Sequence, residues 1–374
     1  MKELRIAIIG CGRIADQHAM QIGRVPGSRI VAVCDSEPLM ADQLAERFGI
    51  SARFDDVDRL LKEARPDVVH LTTPPQTHCS LTTRCLDAGC HVYVEKPFSL
   101  DLQEAHAMLV HARDRGLRIT VGHNAQFSPE MLEMRDLVRR GALGGAPIHI
   151  ESIYTYRLSD AGYVPSLLGD GNHWVRALPG KLLHNLISHG IAKVAEFLDG
   201  GDLTVVAHGS TSQTLLAAGE AGLVDELRVV ISDRRRATAY FTFTTQISPP
   251  VQELRLFGPD GAVIVDNAHR TVVRVTRANA DLKSYLNFFA PPLSLARQYV
   301  RNAWNNVKAF KRAEFHMDAG MKNLIEAFYR SIRESTPPPI PDEEILRTAA
   351  IMDEIFKQLD QGGSADEKRA VLPV

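Results

Sequence analysis

The sequence lacks the features of membrane-spanning and nucleic-acid-coating proteins. Its uncharged stretches are too short, or too interrupted by proline, to supply the roughly 20 apolar residues that cross a bilayer. The formal charge is only −2, from 43 basic and 45 acidic residues, whereas a protein that coats nucleic acid has a basic excess. With 374 residues, 45% apolar and 24% charged, the chain is expected to form about two globular domains.

Cysteine is also scarce, with five residues in the whole chain. All five lie in its first quarter and form neither a CxxC pair nor a spacing typical of zinc ligands, so we expect no metal site. An odd number of cysteines within one predicted domain suits reduced thiols. The opening apolar run is broken by Arg5 and Arg13, which favours a first strand over a secretory signal. We therefore expect a cytoplasmic protein.

Short β-branched runs alternate with helix-like stretches over residues 1–122. The runs of strand length are Leu4–Ile9, Ile30–Cys34, Val68–Leu71, His91–Val94 and Arg118–Val121. Between them, as in Leu102–Arg113, apolar residues recur every three or four positions, which is typical of helices. This alternation predicts a doubly wound parallel sheet with both faces covered, the Rossmann arrangement of the α/β class.

The pattern changes in the second part of the chain. From Ile148 to about Arg277 the residues alternate with a period of two between tight turns, which predicts an open, mainly antiparallel sheet. Helices are expected at about 180–199, 316–333 and 342–360. We therefore predict two domains, a Rossmann domain over 1–122 and an α+β domain for substrate binding and oligomerisation over 123–374.

A glycine-rich turn joins the first predicted strand to the first helix. Gly10 allows the tight turn, Gly12 lets the backbone approach a pyrophosphate at the helix N-terminus, and Ala15 permits close packing of helix on strand. Asp35 ends the next strand, where a carboxylate accepts hydrogen bonds from both ribose hydroxyls and repels a 2′-phosphate. Ser36 and Glu37 follow and offer no arginine. The pattern predicts a dinucleotide site that favours NAD over NADP.

Five motifs together carry a family resemblance. They are GCGRIADQHA at the start, TTPPQTH at 72–78, VEKP at 94–97, GHNAQFSP at 122–129 and PGKLLHNLISH at 179–189. In their order and spacing the chain resembles the glucose–fructose oxidoreductase/inositol dehydrogenase (Gfo/Idh/MocA) family over nearly its whole length. The resemblance implies a nucleotide-binding domain followed by a domain built on an open antiparallel sheet, which agrees with the division above.

The resemblance also implies which residues contact the cofactor. These residues, which include the glycine turn, are Gly10, Gly12, Arg13, Ile14, Asp35, Thr73, Pro74, His78, Glu95, Lys96 and Asn124. A lysine after a strand, in the position of Lys96, hydrogen-bonds the substrate hydroxyl and stabilises a developing alkoxide. Related proteins further imply that the Lys96–Pro97 bond is cis.

A proton acceptor is expected on the predicted helix at 180–199. Hydride leaves a carbinol carbon only as its hydroxyl proton is lost, and the resemblance assigns that proton to His189. Asn185 lies four residues earlier and shares its face; the family usually has aspartate there, so a charge that would stabilise imidazolium is missing. His184 and His173 are reserve candidates, and a purely structural histidine at 189 is the alternative.

Two further residues are candidates for the substrate pocket. Family members often place an aromatic residue and an arginine just before this helix, which points to Trp174 and Arg176. Tryptophan stacks well on sugar rings, although a core tryptophan explains the pattern equally well. The predicted substrate-contacting residues are Lys96, Trp174, Arg176, Asn185 and His189.

A segment outside these motifs is basic and amphipathic. Residues 282–313 contain no acidic residue and six basic ones. Drawn as a helix, one apolar stripe is formed by Leu293, Val300, Trp304, Val307 and Phe310, and a basic stripe beside it by Arg297, Arg301, Lys308 and Arg312. Such a helix suits an anionic membrane surface or a protein partner, but packing on the protein's own sheet with a solvated basic edge is the favoured interpretation.

These features predict an NAD(P)-dependent dehydrogenase that acts on a secondary alcohol of a sugar, cyclitol or sugar nucleotide. A sheet-to-sheet homodimer or homotetramer is expected, with no nucleic acid as partner. The first alternative is a non-catalytic regulator of the same fold that binds NAD and sugar, which Asn185 supports. The second is a membrane-recruited interaction protein that rests on 282–313 alone.

Overall fold

The computed structural model describes residues 3–158, 167–233, 237–276, 288–312 and 319–362. The chain forms two compact units. The first contains residues 1–129 and 316–349, and the second contains residues 130–315 and 350–374.

The first unit is built on a six-stranded parallel sheet in the order β3-β2-β1-β4-β5-β6. Its strands are β1 (Leu4–Ile9), β2 (Ser28–Cys34), β3 (Ala52–Phe54), β4 (Val68–Leu71), β5 (His91–Val94) and β6 (Ile119–Val121). This order confirms the predicted doubly wound sheet. The order of the strands reverses at β1 and β4, because β2 and β3 lie on one side of this pair and β5 and β6 on the other. Ligands of such sheets bind at this point. The sequence did not predict β3, because three half-exposed residues at a sheet edge give no periodic signal.

Helices follow the strands of this unit. They are α1 (Arg13–Ile22), α2 (Pro38–Phe48), α3 (Val57–Ala64), α4 (His78–Asp87) and α5 (Leu102–Asp114). Two begin at aspartate caps: the Asp56 and Asp101 carboxylates accept hydrogen bonds from the amides of Arg59 and Glu104, which satisfies otherwise orphaned donors. The core is an apolar cluster that includes β1 and β4, whose central residues are fully buried.

The second unit is built on a seven-stranded sheet in the order β13-β12-β11-β7-β10-β9-β8. The strands are β7 (His149–Thr155), β8 (Leu203–Ser210), β9 (Glu226–Asp233), β10 (Thr238–Thr244), β11 (Gln252–Phe257), β12 (Gly261–Asp266) and β13 (Thr271–Thr276). Only the β7–β10 pair is parallel, so the predicted mainly antiparallel sheet is confirmed.

The remaining helices are α6 (Pro129–Arg139), α7 (Lys181–Ala195), α8 (Gln213–Ala217), α9 (Ala290–Lys311), α10 (Ala319–Glu334) and α11 (Asp342–Gly362). α7 lies on the sheet of the second unit, and at Gly190 a Cβ would come within 2.4 Å of the Phe241 ring. Among the described residues, no helix is both long and apolar enough to cross a membrane.

Helix α9 packs against the edge strand β13 through its polar face. The Gln298 side chain accepts from the Arg274 amide at 2.8 Å and donates to the Arg274 carbonyl at 3.0 Å. Asn302, one turn on, donates to the Val272 carbonyl at 2.8 Å. The helix therefore packs on the protein's own sheet with an exposed basic edge, as the favoured interpretation predicts, but the contact is made by the polar face and not by the apolar stripe. The backbone groups of an edge strand need hydrogen-bonding partners, so the amide side chains face inward.

Candidate active site

The turn after β1 requires glycine at its first position. Gly10 has a φ of +91°, and a Cβ there would come within 2.7 Å of the Thr73 side chain and 2.8 Å of the Thr72 backbone. Its amide donates to the Cys34 carbonyl at 2.8 Å. An L side chain would strain the backbone and collide with the loop after β4. The turn is thereby fixed at the carboxyl edge of the sheet.

The second glycine leaves space at the start of α1. Gly12 is the N-cap, no side chain caps the helix, and no heavy atom lies within 4 Å of the position that a Cβ would take. Amides of the first helical turn thus remain available for an anion, which the helix dipole also favours. Ala15 is fully buried, as close packing of helix on strand requires. These features fit a dinucleotide phosphate.

Asp35 follows β2 at the same edge and has a second task that the sequence did not suggest. One carboxylate oxygen accepts from the Cys11 amide at 2.6 Å, and the other accepts from the Glu37 amide at 2.9 Å. The side chain is half-buried. It therefore holds the glycine turn in place as well as presenting a negative charge where an adenosine ribose would lie.

The loop after β4 is tied to the glycine turn and to the loop after β5. The Thr72 hydroxyl donates to the Gly10 carbonyl. The buried His78 ring has Nε2 2.9 Å from the Thr73 carbonyl and Nδ1 3.0 Å from the Pro97 carbonyl. Burial lowers the pKa of His78, although these carbonyls oppose the effect. A neutral imidazole has one N–H, so it donates to one carbonyl at a time. His78 thus contacts both loops and hydrogen-bonds to one of them at a time.

Lys96 and Glu95 follow β5 at this edge. The Lys96–Pro97 bond is cis, as the resemblance implies. The Lys96 amide donates to the Glu95 carboxylate at 3.0 Å. Burial lowers the pKa of the half-buried Lys96 ammonium, and the Glu95 charge works against that. Gly122 leaves room for the carboxylate, because a Cβ there would come within 2.7 Å of it.

A buried hydrogen-bonded chain lies behind Glu95. Its carboxylate is 2.8 Å from Nε2 of His18, whose Nδ1 is 2.7 Å from Nδ1 of His70. Nε2 of His70 is in turn 2.8 Å from the Tyr329 hydroxyl. One direction of donation satisfies every atom with both histidines neutral: Tyr329 to His70, His70 to His18, and His18 to the Glu95 carboxylate. Lowering of the His70 pKa by burial and by His18 agrees with this assignment.

This hydrogen-bonded chain of side chains controls the charge beside Lys96. Burial alone would raise the pKa of Glu95, but the hydrogen bond from His18 and the charge of Lys96 lower it overall. Glu95 is therefore an anion next to the lysine. The Tyr93 ring stacks on His70 with centroids 4.6 Å apart, and its hydroxyl donates to the Asn124 side chain at 2.8 Å.

The sequence missed His18, His70 and Tyr329. The sequence offered two signals. His70 lies within the apolar run of β4, and His18 lies on the inward face of α1. Neither indicated the third member, because Tyr329 is 259 residues from its partner His70.

The buried histidines predict that stability falls in acid. In the folded protein burial lowers the pKa of His70 and His78 from 6.5, and that of His123 to about 3. Below about pH 6.5 the unfolded chain therefore binds protons that the folded chain does not, and unfolding becomes easier as the pH falls. Each such histidine contributes up to about 1.4 kcal/mol per pH unit. We expect His70→Gln to reduce this slope by about one proton between pH 6.5 and 5, as measured by urea unfolding. An unchanged slope would contradict the assignment.

In the second unit, α7 carries the predicted proton acceptor. Asn185 and His189 are both half-buried and lie one turn apart on the same face. The reserve candidate His184 is buried, and its ring stacks on Phe356 with centroids 4.9 Å apart. A ring held there contributes to packing, which leaves His189 as the better-placed of the two imidazoles.

The segment before α7 is held by an ion pair. The Arg176 guanidinium binds both carboxylate oxygens of Glu220, at 2.9 and 2.6 Å, and donates to the Leu167 carbonyl at 2.8 Å. The hydrogen bond to Glu220 raises the pKa of Arg176. Trp174 is half-buried, and its ring stacks on His173 with centroids 5.7 Å apart. Arg176 thus anchors this segment, and its contact with substrate remains a prediction.

The structure gathers most of the predicted cofactor residues of the first unit at one sheet edge. Gly10, Thr73 and Lys96 follow β1, β4 and β5, and Asp35 follows β2. Arg13 is exposed and Ile14 half-buried in the first turn of α1, Pro74 is exposed, and Asn124 is half-buried just after β6. Asn185 and His189 share a helix face in the second unit. Their roles as site residues stay predictions.

Comparison with known proteins identifies similar sequences and structures. Residues 4–123 match the sequence model named GFO_IDH_MocA and described as "Oxidoreductase family, NAD-binding Rossmann fold". A D-glucoside 3-dehydrogenase of Escherichia coli is 37% identical over 142 residues, which cover 38% of this chain and 40% of that protein.

Longer matches extend over both units. A myo-inositol 2-dehydrogenase of Thermotoga maritima is 23% identical over 370 residues, 98% of each chain. Among solved structures, the WlbA dehydrogenase of Bordetella pertussis, in complex with NADH and UDP-GlcNAcA, superimposes with a TM-score of 0.75 over 96% of each chain at 16% identity. At that identity the likeness establishes the fold.

Proposed function

Because the chain belongs to the Gfo/Idh/MocA family of oxidoreductases, we propose that it is a dehydrogenase that transfers hydride between NAD and a secondary hydroxyl of a sugar, cyclitol or sugar nucleotide. The observation that carries the proposal is the placement of Asp35 and Lys96 at one carboxyl edge of a parallel sheet. A ribose-binding carboxylate and a hydroxyl-polarising ammonium are the two groups that such a reaction needs from a nucleotide domain.

The first unit supplies the cofactor contacts in this proposal. Gly12 and the first turn of α1 bind the pyrophosphate, and Asp35 binds the ribose hydroxyls. Bound NAD supplies the hydride acceptor for oxidation of the alcohol. The Asp35 charge disfavours a 2′-phosphate, which supports NAD over NADP. His78 acts indirectly, because its buried ring contacts the carbonyls of Thr73 and Pro97 in the two loops.

Proton movement is assigned to Lys96 and His189. Lys96 donates a hydrogen bond to the reacting oxygen and stabilises negative charge that develops there. Glu95, held as an anion by His18, fixes the lysine backbone through its amide. His189 accepts the hydroxyl proton, and Asn185 orients the imidazole or binds a neighbouring hydroxyl. Asparagine offers no charge for the imidazolium, so the base is weaker than one paired with aspartate.

The proposed substrate class follows from the relatives and from one aromatic side chain. The curated relatives include an inositol 2-dehydrogenase and a UDP-N-acetylglucosamine 3-dehydrogenase. Trp174 presents a half-buried ring just before α7, and an indole stacks on the apolar face of a sugar ring. A panel of cyclitols, glucosides and UDP-sugars therefore tests the proposal, with NADH formation followed by absorbance.

Replacing Asp35 tests the cofactor assignment. We expect Asp35→Asn to raise the Kd for NAD by about ten- to a hundredfold, since it loses a hydrogen bond to a charged group worth about 1.5–3 kcal/mol. Its affinity for NADP should rise relative to NAD, because the repulsion of a 2′-phosphate is gone. Calorimetric titration with both nucleotides measures the ratio. Asp42→Asn, at an exposed aspartate on α2 paired with Arg53, is the matched control and should bind NAD normally. An unchanged ratio for Asp35→Asn would place the ribose elsewhere.

A non-catalytic regulator is the second candidate, and Asn185 is the observation that favours it. In that case NAD and sugar would bind, but no NADH would form. Single-turnover absorbance measurements at high enzyme concentration separate the two functions, because even a weak base supports one slow turnover. Restoring the family residue with Asn185→Asp should then increase the rate of a true dehydrogenase.

Assembly through the open sheet is proposed on the basis of an exposed apolar row. Tyr240, Val230 and Val206 lie opposite one another across β10, β9 and β8, and Tyr240 and Val206 are exposed. Such a row favours a homodimer or homotetramer joined by sheet faces. Light scattering measures the mass of the assembly.

The five free cysteines support a reducing, cytosolic setting.

A further inference from the structure

The outward face of α9 is apolar from Leu293 to Phe310, and the exposed Lys311 ends it. Leu293, Val300, Trp304 and Phe310 are 57–73% exposed, and Phe288 and Phe289, which precede the helix, are exposed as well. With a rotation of about 100° per residue, these helix positions and Val307 fall within a single arc of about 120°. Isolated exposed apolar residues are ordinary, but a contiguous patch of this kind marks an interaction surface.

A basic stripe adjoins this apolar face. Residues 288–312 contain five cations and no acidic residue. Arg297, Arg301, Lys308 and Arg312 lie along one side of the apolar arc. The Lys308 ammonium is 5.8 Å from the centre of the Trp304 ring, and Arg301 reaches the exposed Glu133 at 3.4 Å. Lys283 and the sequence Tyr285–Leu286–Asn287 lie outside the described residues.

The opposite face of α9 is fixed to the protein. Gln298 and Asn302 hydrogen-bond to the β13 backbone, and Asn306 continues the same row with bonds to the His269 and Arg270 carbonyls at 3.2 and 3.4 Å. These amides recur every four residues and satisfy an open strand edge. Because the polar face is committed in this way, the apolar arc points away from the sheet.

We propose that α9 is a membrane-docking helix that lies in the surface of an anionic bilayer. An aromatic apolar face with cations along its border has the composition of a helix that inserts at the headgroup level. Lipid phosphates complement the basic stripe. A second copy of the same helix would bring like charges together. The proposal is independent of the dehydrogenase assignment.

Tryptophan fluorescence provides a direct test. The chain has two tryptophans, so Trp174→Phe leaves Trp304 as the only indole. With vesicles of phosphatidylglycerol and phosphatidylcholine we expect a blue-shifted emission that brominated lipids quench. The shift should be much smaller with pure phosphatidylcholine and should weaken as salt is added. An unchanged emission spectrum in anionic vesicles would overturn the proposal.

Vesicle co-sedimentation of surface variants assigns the contact to α9. Each cation near an anionic surface contributes about fivefold to partitioning, so Arg297→Gln with Lys308→Gln should reduce binding about twentyfold. Trp304→Ser should also reduce it. The controls Arg330→Gln and Leu216→Ser remove an exposed cation and an exposed apolar residue elsewhere and should sediment like the parent. If Val300→Glu instead abolishes a concentration-dependent self-association and no variant affects vesicle binding, the occupant is a second copy and the proposal is wrong.

Discussion

Lys96→Met is expected to lower kcat by about 10²–10³-fold while NAD still binds. Loss of one positioned donor to a developing oxyanion typically has an effect of this size. The substitution keeps the length of the side chain and removes the ammonium, whereas the turn proposed to bind the nucleotide contains Gly10 and Gly12 and is held by Asp35. Steady-state rates combined with a fluorescence titration of NADH separate the two effects.

His18→Gln supplies a comparison for that result. Its amide can still donate to Glu95, so the variant should retain far more activity than Lys96→Met. It lacks the ring contact with His70, and some loss of stability is expected. If Lys96→Met turns over at the parental rate, the lysine does not touch the reacting oxygen and its proposed role is wrong.

His189→Asn is expected to lower kcat by about 10²–10⁴-fold, the usual contribution of a positioned general base. A base must be unprotonated to accept the hydroxyl proton, so in the parent kcat/KM for alcohol oxidation should fall as the pH falls through its ionisation. In the variant this fall of kcat/KM at low pH, the acidic limb of the profile, should disappear. The pH profile therefore distinguishes a proton acceptor from a histidine that only supports the fold.

Two other histidines act as controls for this measurement. His208→Asn, on the exposed side of β8, should leave both the rate and the profile intact. His184→Gln removes a ring that stacks on Phe356, and it should lower the melting temperature more than it changes the pH profile. A His189→Asn profile that keeps the parental acidic limb would contradict the assignment of the base.

The sequence predicted those parts of the first unit whose residues form a recognisable local pattern. Gly10, Gly12 and Asp35 follow strands at fixed distances, and parallel strands bring their carboxyl ends to one edge whatever the rest of the chain does. The buried hydrogen-bonded chain behind Glu95 has no such signal in the sequence. His18, His70 and Tyr329 come from α1, β4 and α10, and only packing brings them together.

Helix α9 illustrates a different limit. Its periodicity correctly indicated an amphipathic helix, but the usual rule that the apolar face packs inward failed. Gln298 and Asn302 reveal the reason, because an edge strand left unsatisfied hydrogen-bonding groups that apolar side chains cannot meet. Likewise, no signal in the sequence indicated the ion pair of Arg176 with Glu220, which lies 44 residues away.

The most direct test is single-turnover NADH formation with the cyclitol, glucoside and UDP-sugar panel, measured in parallel for the parent and for Lys96→Met. The account predicts that at least one member of the panel gives a rise in nicotinamide absorbance with the parent, and that the rise is slowed at least about a hundredfold in the variant. An enzyme that binds NAD yet gives no absorbance change with any member, or gives the same rate with and without the ammonium, would contradict it.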